Sequence, residues 1–416
     1  MTNVGLTPGG SFDPTKIGPI ELPFSEAEYR SRIAKVCEMM RERGIDLLWV
    51  TTPDAVCWLH GYFTSWYKAN SPMRYPQCYG TAIHAGSGRI IHFDNPTEMP
   101  VMTRTSICKD SRWLPDRRAA PNIRFITEQL AKEGWLQGTV GMEFWSYIPN
   151  RAISTMFEGA FRAAGCEVVD GSALLRRARR AKSAQEIAYI EKAVEICDIG
   201  HKTIQKELRP GITELDLFGA VTHAMMKAGG EFPALIPIFN AAPVIDGVPQ
   251  QIGHSMASTK VIEAGELLVA DLCGVYHRYH GNAMRGFLLG DPPNSLMERY
   301  RLAAGVYEVI RAELKAGMTV REVNRRLRRY YDEVGLWSET GGWALGYELG
   351  LSLPPDWVGD FYFNLGDDEF LDRVFEDGMV TNFESLFDTA LIDTVVWRKD
   401  GCRLLSKMPL DLIVVG

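Results

Sequence analysis

The sequence is short of the features that mark several large classes of protein. It has no run of about 18 or more apolar residues, the length that a membrane-crossing helix needs, so no spanning segment and no membrane partner are expected. Its opening residues, MTNVGLTPGGSFDPTK, have neither the basic nor the apolar region of a secretion signal. Basic charge is not in excess: 45 Lys and Arg stand against 52 Asp and Glu, a formal net charge of −7, so nucleic acid would be repelled on average. The eight cysteines, at 37, 57, 78, 108, 166, 197, 273 and 402, include no CxxC pair, and Cys37 and Cys197 fall on apolar helix positions. Buried free thiols in a reducing cytoplasm are the expectation. Three motifs are also missing: GxxxxGK, a strand followed by GxGxxG, and GxSxG. Nucleotide, dinucleotide and serine-hydrolase chemistry are set aside with them.

What is present suits a packed globular chain. A length of 416 residues exceeds one ordinary domain of about 100–200, and 46 % hydrophobic with 10 % aromatic residues excludes intrinsic disorder. Residues 1–24, rich in Gly, Pro, Ser and Thr, read as an N-terminal arm. Ser25 and Glu28 then read as a capping box, Ile33, Val36, Cys37 and Met40 follow at helical spacing, and Gly44 supplies a stop. The segments IDLLWV, TAIHA, GRIIHF, IRFIT and TVGMEF read as strands, so residues 25–175 form a small α/β domain. The basic run 176–182 reads as a solvated helix face or linker, and Ser183 with Glu186 opens a new helix at the start of a second domain, 183–416.

That second part contains an internal repeat. Residues 201–229 align without a gap to 307–335, each copy reading as helix, Gly turn, Thr-capped helix and Gly stop. Beyond them VIEAGELLVAD (261–271) matches VFEDGMVTNFE (374–384), the copies ending on Asp271 and Glu384. A helix–helix–strand unit cannot bury its sheet alone, so two copies should join about a pseudo-two-fold axis in one helix-covered sheet. The two carboxylates should then face each other across it. Paired carboxylates in a protein interior either hold a metal, polarise a substrate or form a structural network.

The segment KSAQEIAYIEKAVEI, the Thr-capped helix starts, His254 seventeen residues before Asp271, and EDGMVTNFES together resemble the creatinase/aminopeptidase P family, from Ser25 to the C-terminus. The resemblance implies an α+β pita-bread fold, with a duplicated C-terminal half and a smaller N-terminal α/β domain, and a homodimer. Peptide-cleaving members hold two divalent metals through Asp, Asp, His, Glu and Glu. Carried over by position, the first Asp is Asp271 and the first Glu is Glu384, but the second Asp falls on Asn282, the His on Tyr347 and the last Glu on Ile392. Asn, Tyr and Ile return none of the lost charge, so no metal and no other cofactor is expected. The segments GYELGLSLPPDW (346–357) and YHRYH (276–280) are more specific, resembling a metal-free branch that includes the ectoine hydrolases; creatinase is metal-free as well.

The implied function is a metal-independent, cytoplasmic hydrolase of a C–N bond in a small polar, nitrogen-rich metabolite: a cyclic amidine, guanidino or amide compound. His254, in the polar loop QIGHSMAS, would move the proton, while Glu384 and Asp271 bind a cationic group and orient water. Substrate contacts are expected from Asn282, Tyr347, Trp357 and His280. Strand alternation along YHRYH puts His280 on one face with Tyr276 and Arg278. Trp66 and Arg74, in the aromatic and basic loop FTSWYKANSPMRY, are further candidates. Two rival readings are a metal-dependent Xaa-Pro peptidase or lyase of the same fold, and a binding protein without catalysis.

Overall fold

The computed structural model describes residues 22–68, 71, 76–251, 253–337 and 343–416. The arm up to residue 21 and Arg74 lie outside the described residues. The chain divides into two compact units, Met1–Ala178 and Arg179–Gly416.

In the first unit, α1 (Glu26–Glu42) is N-capped by Ser25, whose side chain accepts the Glu28 N–H, while Glu28 places Oε1 on Arg32. Tyr29, Ile33, Val36, Cys37 and Met40 form its buried stripe, and Gly44 ends the turn at φ +65°. The chain continues through β1 (Leu47–Val50), α2 (Pro53–His60), β2 (Gly80–His84), β3 (Ile90–Asp94), α3 (Met99–Thr105), β4 (Ser111–Trp113), α4 (Ala119–Lys132), β5 (Thr139–Met142), α5 (Arg151–Ala163), β6 (Glu167–Asp170) and α6 (Ser172–Arg179). The six strands make one mixed sheet in the order β4-β3-β2-β1-β5-β6. One expected strand is corrected. IRFIT lies inside α4, where Ile123, Ile126 and Leu130 recur at spacings of three and four and are buried together. A short apolar run shows periodicity too weakly to separate strand from helix, and the flanking residues decide it.

The second unit begins with a correction to the basic run: Arg180 and Lys182 are buried rather than solvated. Arg180 lies 2.7 Å from Asp360 and 3.7 Å from Glu376, and Lys182 pairs with Glu348, so acids from distant segments neutralise them. Helix α7 (Ala184–Glu207) carries a complete Ser183–Glu186 capping box, and Glu186 also accepts the Tyr279 hydroxyl at 2.7 Å. It is followed by α8 (Glu214–Lys227), β7 (Ile238–Ile245), β8 (Val248–Pro249), β9 (Glu266–Tyr276) and β10 (Tyr279–Leu289). The second copy supplies α9 (Asn294–Glu313), α10 (Val320–Glu333), β11 (Trp343–Tyr347), β12 (Tyr362–Asn364), β13 (Val380–Leu386), β14 (Leu391–Arg398), β15 (Gly401–Leu404) and β16 (Ile413–Val415). Thr213 and Thr319 cap α8 and α10, and they bridge Val261 and Val374 respectively, so the duplication extends to single contacts.

The two hairpins β9–β10 and β13–β14 meet through β10 and β14 at the centre of a ten-stranded sheet whose main path runs β12-β11-β13-β14-β10-β9-β7-β8, with β15 paired to β14 and β16 to β10 off that path. Helix α7 lies close against one face because Gly274 and Gly281 are cross-strand partners there. A Cβ on Gly274 would stand 1.9 Å from the Ala193 carbonyl oxygen, and one on Gly281 2.4 Å from Val194. Since side chains alternate, Cys273 and Asn282 must then point to the opposite face.

Candidate active site

That opposite face carries two rows set by strand register. Asp271 pairs with Met284, Met284 with Ile392, and Ile392 with Glu384, so the two acids flank two apolar residues in one row. One pleat further along, Cys273 pairs with Asn282 and Asn382 with Thr394, while Asn282 exchanges hydrogen bonds with the Thr394 hydroxyl at 3.0 and 2.7 Å. The rows are joined by amides. Asn282 Nδ2 donates to Asp271 Oδ1 at 2.6 Å, Asn382 Nδ2 donates to Asn282 Oδ1 at 3.2 Å, and the same nitrogen donates to Glu384 Oε1 at 3.0 Å. The duplicated acids are therefore linked by an unbroken chain of three hydrogen bonds.

Low polarity around this chain shifts its acids. Burial pushes the Asp271 carboxyl up to about 7 against the stabilising Asn282 hydrogen bond. Burial, then the negative charge of Asp271, pushes Glu384 up to about 8, opposed by hydrogen bonds from Asn382 and Tyr347. Near neutral pH the pair thus retains a proton, and a cation entering beside it would favour full ionisation. Tyr347, at the end of β11, turns its hydroxyl toward Glu384 and accepts the Trp357 indole N–H at 3.3 Å. Burial and the two acids push its phenol well above its usual value, so it stays a neutral donor.

The other expected residues are distributed unevenly. His254 is exposed in the loop after β8 at φ 54°, and its neighbour Ser255 gives a carbonyl to the Phe239 N–H. Phe239 follows Ile238, which registers with Asp271, so the loop that carries His254 runs beside β7, the strand next to the one that holds this acid. The reading of YHRYH as one strand is corrected. His277 and Arg278, at φ 48° and 65°, form a two-residue hairpin turn between β9 and β10. Neither residue is a usual turn former, but Arg278 is held by the Ser352 and Phe232 carbonyls and by Glu231, which fix the bend from outside. His280 is fully buried, with Nδ1 on the Arg278 carbonyl and Nε2 accepting the Ala234 N–H. Its ring nitrogens are both spent inside the protein, and burial with the charge of Arg278 lowers its pKa to about 3. Trp357 is buried 6.2 Å from the His280 ring. Trp66 lies 45 % exposed on a turn of the first unit.

Sequence reasoning did not single out Asn382 or Cys273. Asn382 sits two positions before Glu384 on a strand, and Cys273 two after Asp271, so period-two alternation from each acid was the available signal.

A duplicated half with a carboxylate pair at its centre, preceded by a small α/β unit, defines a pita-bread hydrolase. The family models agree: residues 188–403 match the metallopeptidase family M24 and residues 32–181 the creatinase/prolidase N-terminal domain. The chain belongs to this creatinase/aminopeptidase P family. It is similar to the ectoine hydrolase of Halomonas elongata, 26 % identical over 95 % of this chain and 99 % of that one. It is also similar to a Xaa-Pro dipeptidase of Pyrococcus horikoshii, 28 % identical over 58 % of this chain and 66 % of the relative. The fold matches the solved Xaa-Pro dipeptidase from Bacillus anthracis at TM-score 0.73 and 20 % identity, over 93 % of this chain and all of that one.

The family description raises a metal, and the donor set decides whether one fits. A hard dication takes several oxygen or imidazole ligands. Between Asp271 and Glu384 stand Met284, Ile392 and the N–H sides of two amides, and the one asparagine oxygen on this path is already taken by Asn382. Among the described residues, no three His, Cys, Asp or Glu side chains gather to hold a metal. The residues present do not fit a dinuclear centre.

Proposed function

We propose that this chain is a metal-independent hydrolase of a C–N bond in a small, cationic, nitrogen-rich metabolite: a cyclic amidine, guanidino or amide compound. The observation that carries the reading is the buried Asp271–Glu384 pair joined through two amides, an arrangement with negative charge to offer and no counter-charge beside it among the described residues. Similarity to an ectoine hydrolase over nearly the whole chain supports the C–N class.

In this reading the substrate cation docks against Asp271 and Glu384, displacing the proton they hold. The now ionised acids orient a water toward the electron-poor carbon. As the water oxygen forms its bond to that carbon, His254 accepts the water proton and returns it to the departing nitrogen when the C–N bond breaks. Tyr347 holds Glu384 in place with Trp357 behind it. The same reading carries a homodimer in a reducing cytoplasm, and all eight cysteines are free thiols.

The test is a panel of cyclic amidines, guanidino acids, N-acylated diamines and Xaa-Pro dipeptides, assayed with chelator and with added metal. Chelator-resistant turnover of a non-peptide member is expected. Turnover of the dipeptides alone, and only with metal, would transfer the case to the peptidase reading that the Pyrococcus relative represents. Tight binding without any turnover would identify a binding protein.

A further inference from the structure

The two asparagines of the site have no N–H to spare. A primary amide offers two N–H donors and one oxygen acceptor. Asn382 gives both donors, to Glu384 and to Asn282 Oδ1, and accepts the Tyr347 backbone N–H on Oδ1 at 2.8 Å. Asn282 gives both as well, to Asp271 Oδ1 at 2.6 Å and to the Leu272 carbonyl at 3.3 Å. The direction of the chain is fixed at its ends. Only an oxygen can accept the Tyr347 N–H, so the Asn382 nitrogen must face Glu384. Only a donor can satisfy the Leu272 carbonyl, so the Asn282 nitrogen must face Asp271. The Thr394 hydroxyl clamps the Asn282 backbone from the next strand.

Two buried carboxylates on one sheet face repel when both ionise, and something must hold them. A cation can do so by drawing oxygens toward itself. Here N–H dipoles do it, one amide reaching each acid and the two amides bonded to each other. We propose that Asn282 and Asn382 are positioning residues: a two-amide strut that fixes the spacing and orientation of Asp271 and Glu384, and presents N–H donors where a divalent cation would need oxygen ligands. The substrate contact expected of Asn282 gives way to this role, since its N–H groups are committed to the protein. The inference rests on reading the acid pair as the functional site, but its test uses no substrate.

The probe is Mn²⁺ alone, titrated into the full-length chain at pH 7.5 and followed by calorimetry and electron paramagnetic resonance. Asn282→Asp exchanges two N–H donors for a third carboxylate and should bind Mn²⁺ at least about tenfold more tightly than wild type. Adding Glu384→Gln to that variant should remove the gain. If Asn282→Asp fails to fold, Asn382→Asp carries the test, because its oxygen still accepts the Tyr347 N–H while both donors are lost. Wild type binding Mn²⁺ as tightly as the Asp variants, folded Asp variants that show no gain, or a gain that survives Glu384→Gln would each overturn the strut. Failure of the hydrolase reading shows separately, as absent turnover across the substrate panel with these Mn²⁺ affinities unchanged.

Discussion

Each of the two units threads a chain of buried polar side chains across its sheet, and the chains end differently. In the first unit Ser106 bonds His60 Nδ1 at 2.8 Å, His60 Nε2 bonds Thr81 at 2.9 Å, Thr81 bonds His92 Nδ1 at 2.9 Å, and His92 Nε2 faces Asp94 at 3.4 Å. A threonine hydroxyl has one hydrogen, so Thr81 donates to one imidazole and accepts from the other, which makes the chain directional. Asp94 is then filled by the Tyr62 hydroxyl at 2.7 Å and the Asn95 N–H at 2.6 Å. In the second unit the chain is also directional, but it terminates on two acids, of which Asp271 accepts only one hydrogen bond among the described residues. A closed chain spends all its capacity on specifying a fold. An open one keeps acceptors for something that arrives later, at a cost in stability.

The largest effect that sharpens this contrast is expected at His254. His254→Gln keeps shape and much of the hydrogen bonding but removes proton transfer, so turnover should fall about 10²–10⁴-fold with affinity retained. Glu384→Gln should act on affinity, since it removes half of the paired negative charge that selects a cation. Steady-state kinetics and calorimetry with the preferred substrate of the panel separate the two. Undiminished turnover in His254→Gln would refute its role.

In the first unit, Thr81→Val should instead act on stability alone. Valine fills the space of threonine but leaves one ring nitrogen of His60 and one of His92 without partners in a fully buried site. The expected loss is about 2–4 kcal/mol, from one orphaned group on each side. Turnover per folded molecule should not change. A calorimetric melt together with kcat measures both, and a fall in kcat beyond the lost folded fraction would break the contrast.

How much of this was legible beforehand differs between the units for a physical reason. The capped helices opening at Ser183 and Thr319, the duplication and the two acids repeat local patterns that a single sequence displays. The closed chain leaves no such pattern. His60, Thr81, His92 and Ser106 come from separate elements, and only strand pairing brings Thr81 opposite His92. The turn at His277–Arg278 was hidden because its positive φ angles are imposed by distant carbonyls rather than by Gly or Asn. Asn382 was hidden differently: it lay inside a segment already singled out, but a neutral amide draws attention only once its two acceptors are known to be acids.

The pH dependence of stability should have opposite slopes in the two units. Burial, with the charge of His92 second, lowers the His60 pKa well below its usual 6.5. The unfolded chain therefore binds a proton below about pH 6.5 that the native chain refuses, and stability falls as pH drops. For Asp271 and Glu384 the native values are raised, to about 7 and about 8. Their contribution is fully present below the unfolded carboxylate range near 4 and is lost as pH rises through 7 to 8. Glu384→Gln should therefore raise the melting temperature at pH 9 by a few degrees, on the order of 1–2 kcal/mol, and leave the acid side unaltered. Melts from pH 5 to 9 test it, and an unchanged alkaline limb would show that the pair does not hold its proton.

The smallest expected effect makes the finest comparison, because both units turn a tyrosine hydroxyl toward a buried acid: Tyr62 bonds Asp94 at 2.7 Å, and Tyr347 lowers the Glu384 pKa. Removing either hydroxyl deletes about 0.5–1.5 kcal/mol of hydrogen bonding, and the contrast predicts where the loss appears. Tyr62→Phe takes one of several donors from a filled acid inside a closed chain, so the loss should appear in the melting temperature. Tyr347→Phe has two consequences at the open end. It leaves the Trp357 indole N–H without its acceptor, and it removes a bond that holds the Glu384 pKa down. Glu384 should then ionise at higher pH, moving the onset of substrate-cation binding upward and lowering kcat/KM at neutral pH by roughly 2–10-fold, with much of the rate regained as pH rises. Loss of the indole partner alone would lower stability but could not move a pH profile. If both variants lose only melting temperature, the second chain is as closed as the first and the acids serve the fold; a profile displaced in Tyr347→Phe and not in Tyr62→Phe assigns them to the ligand.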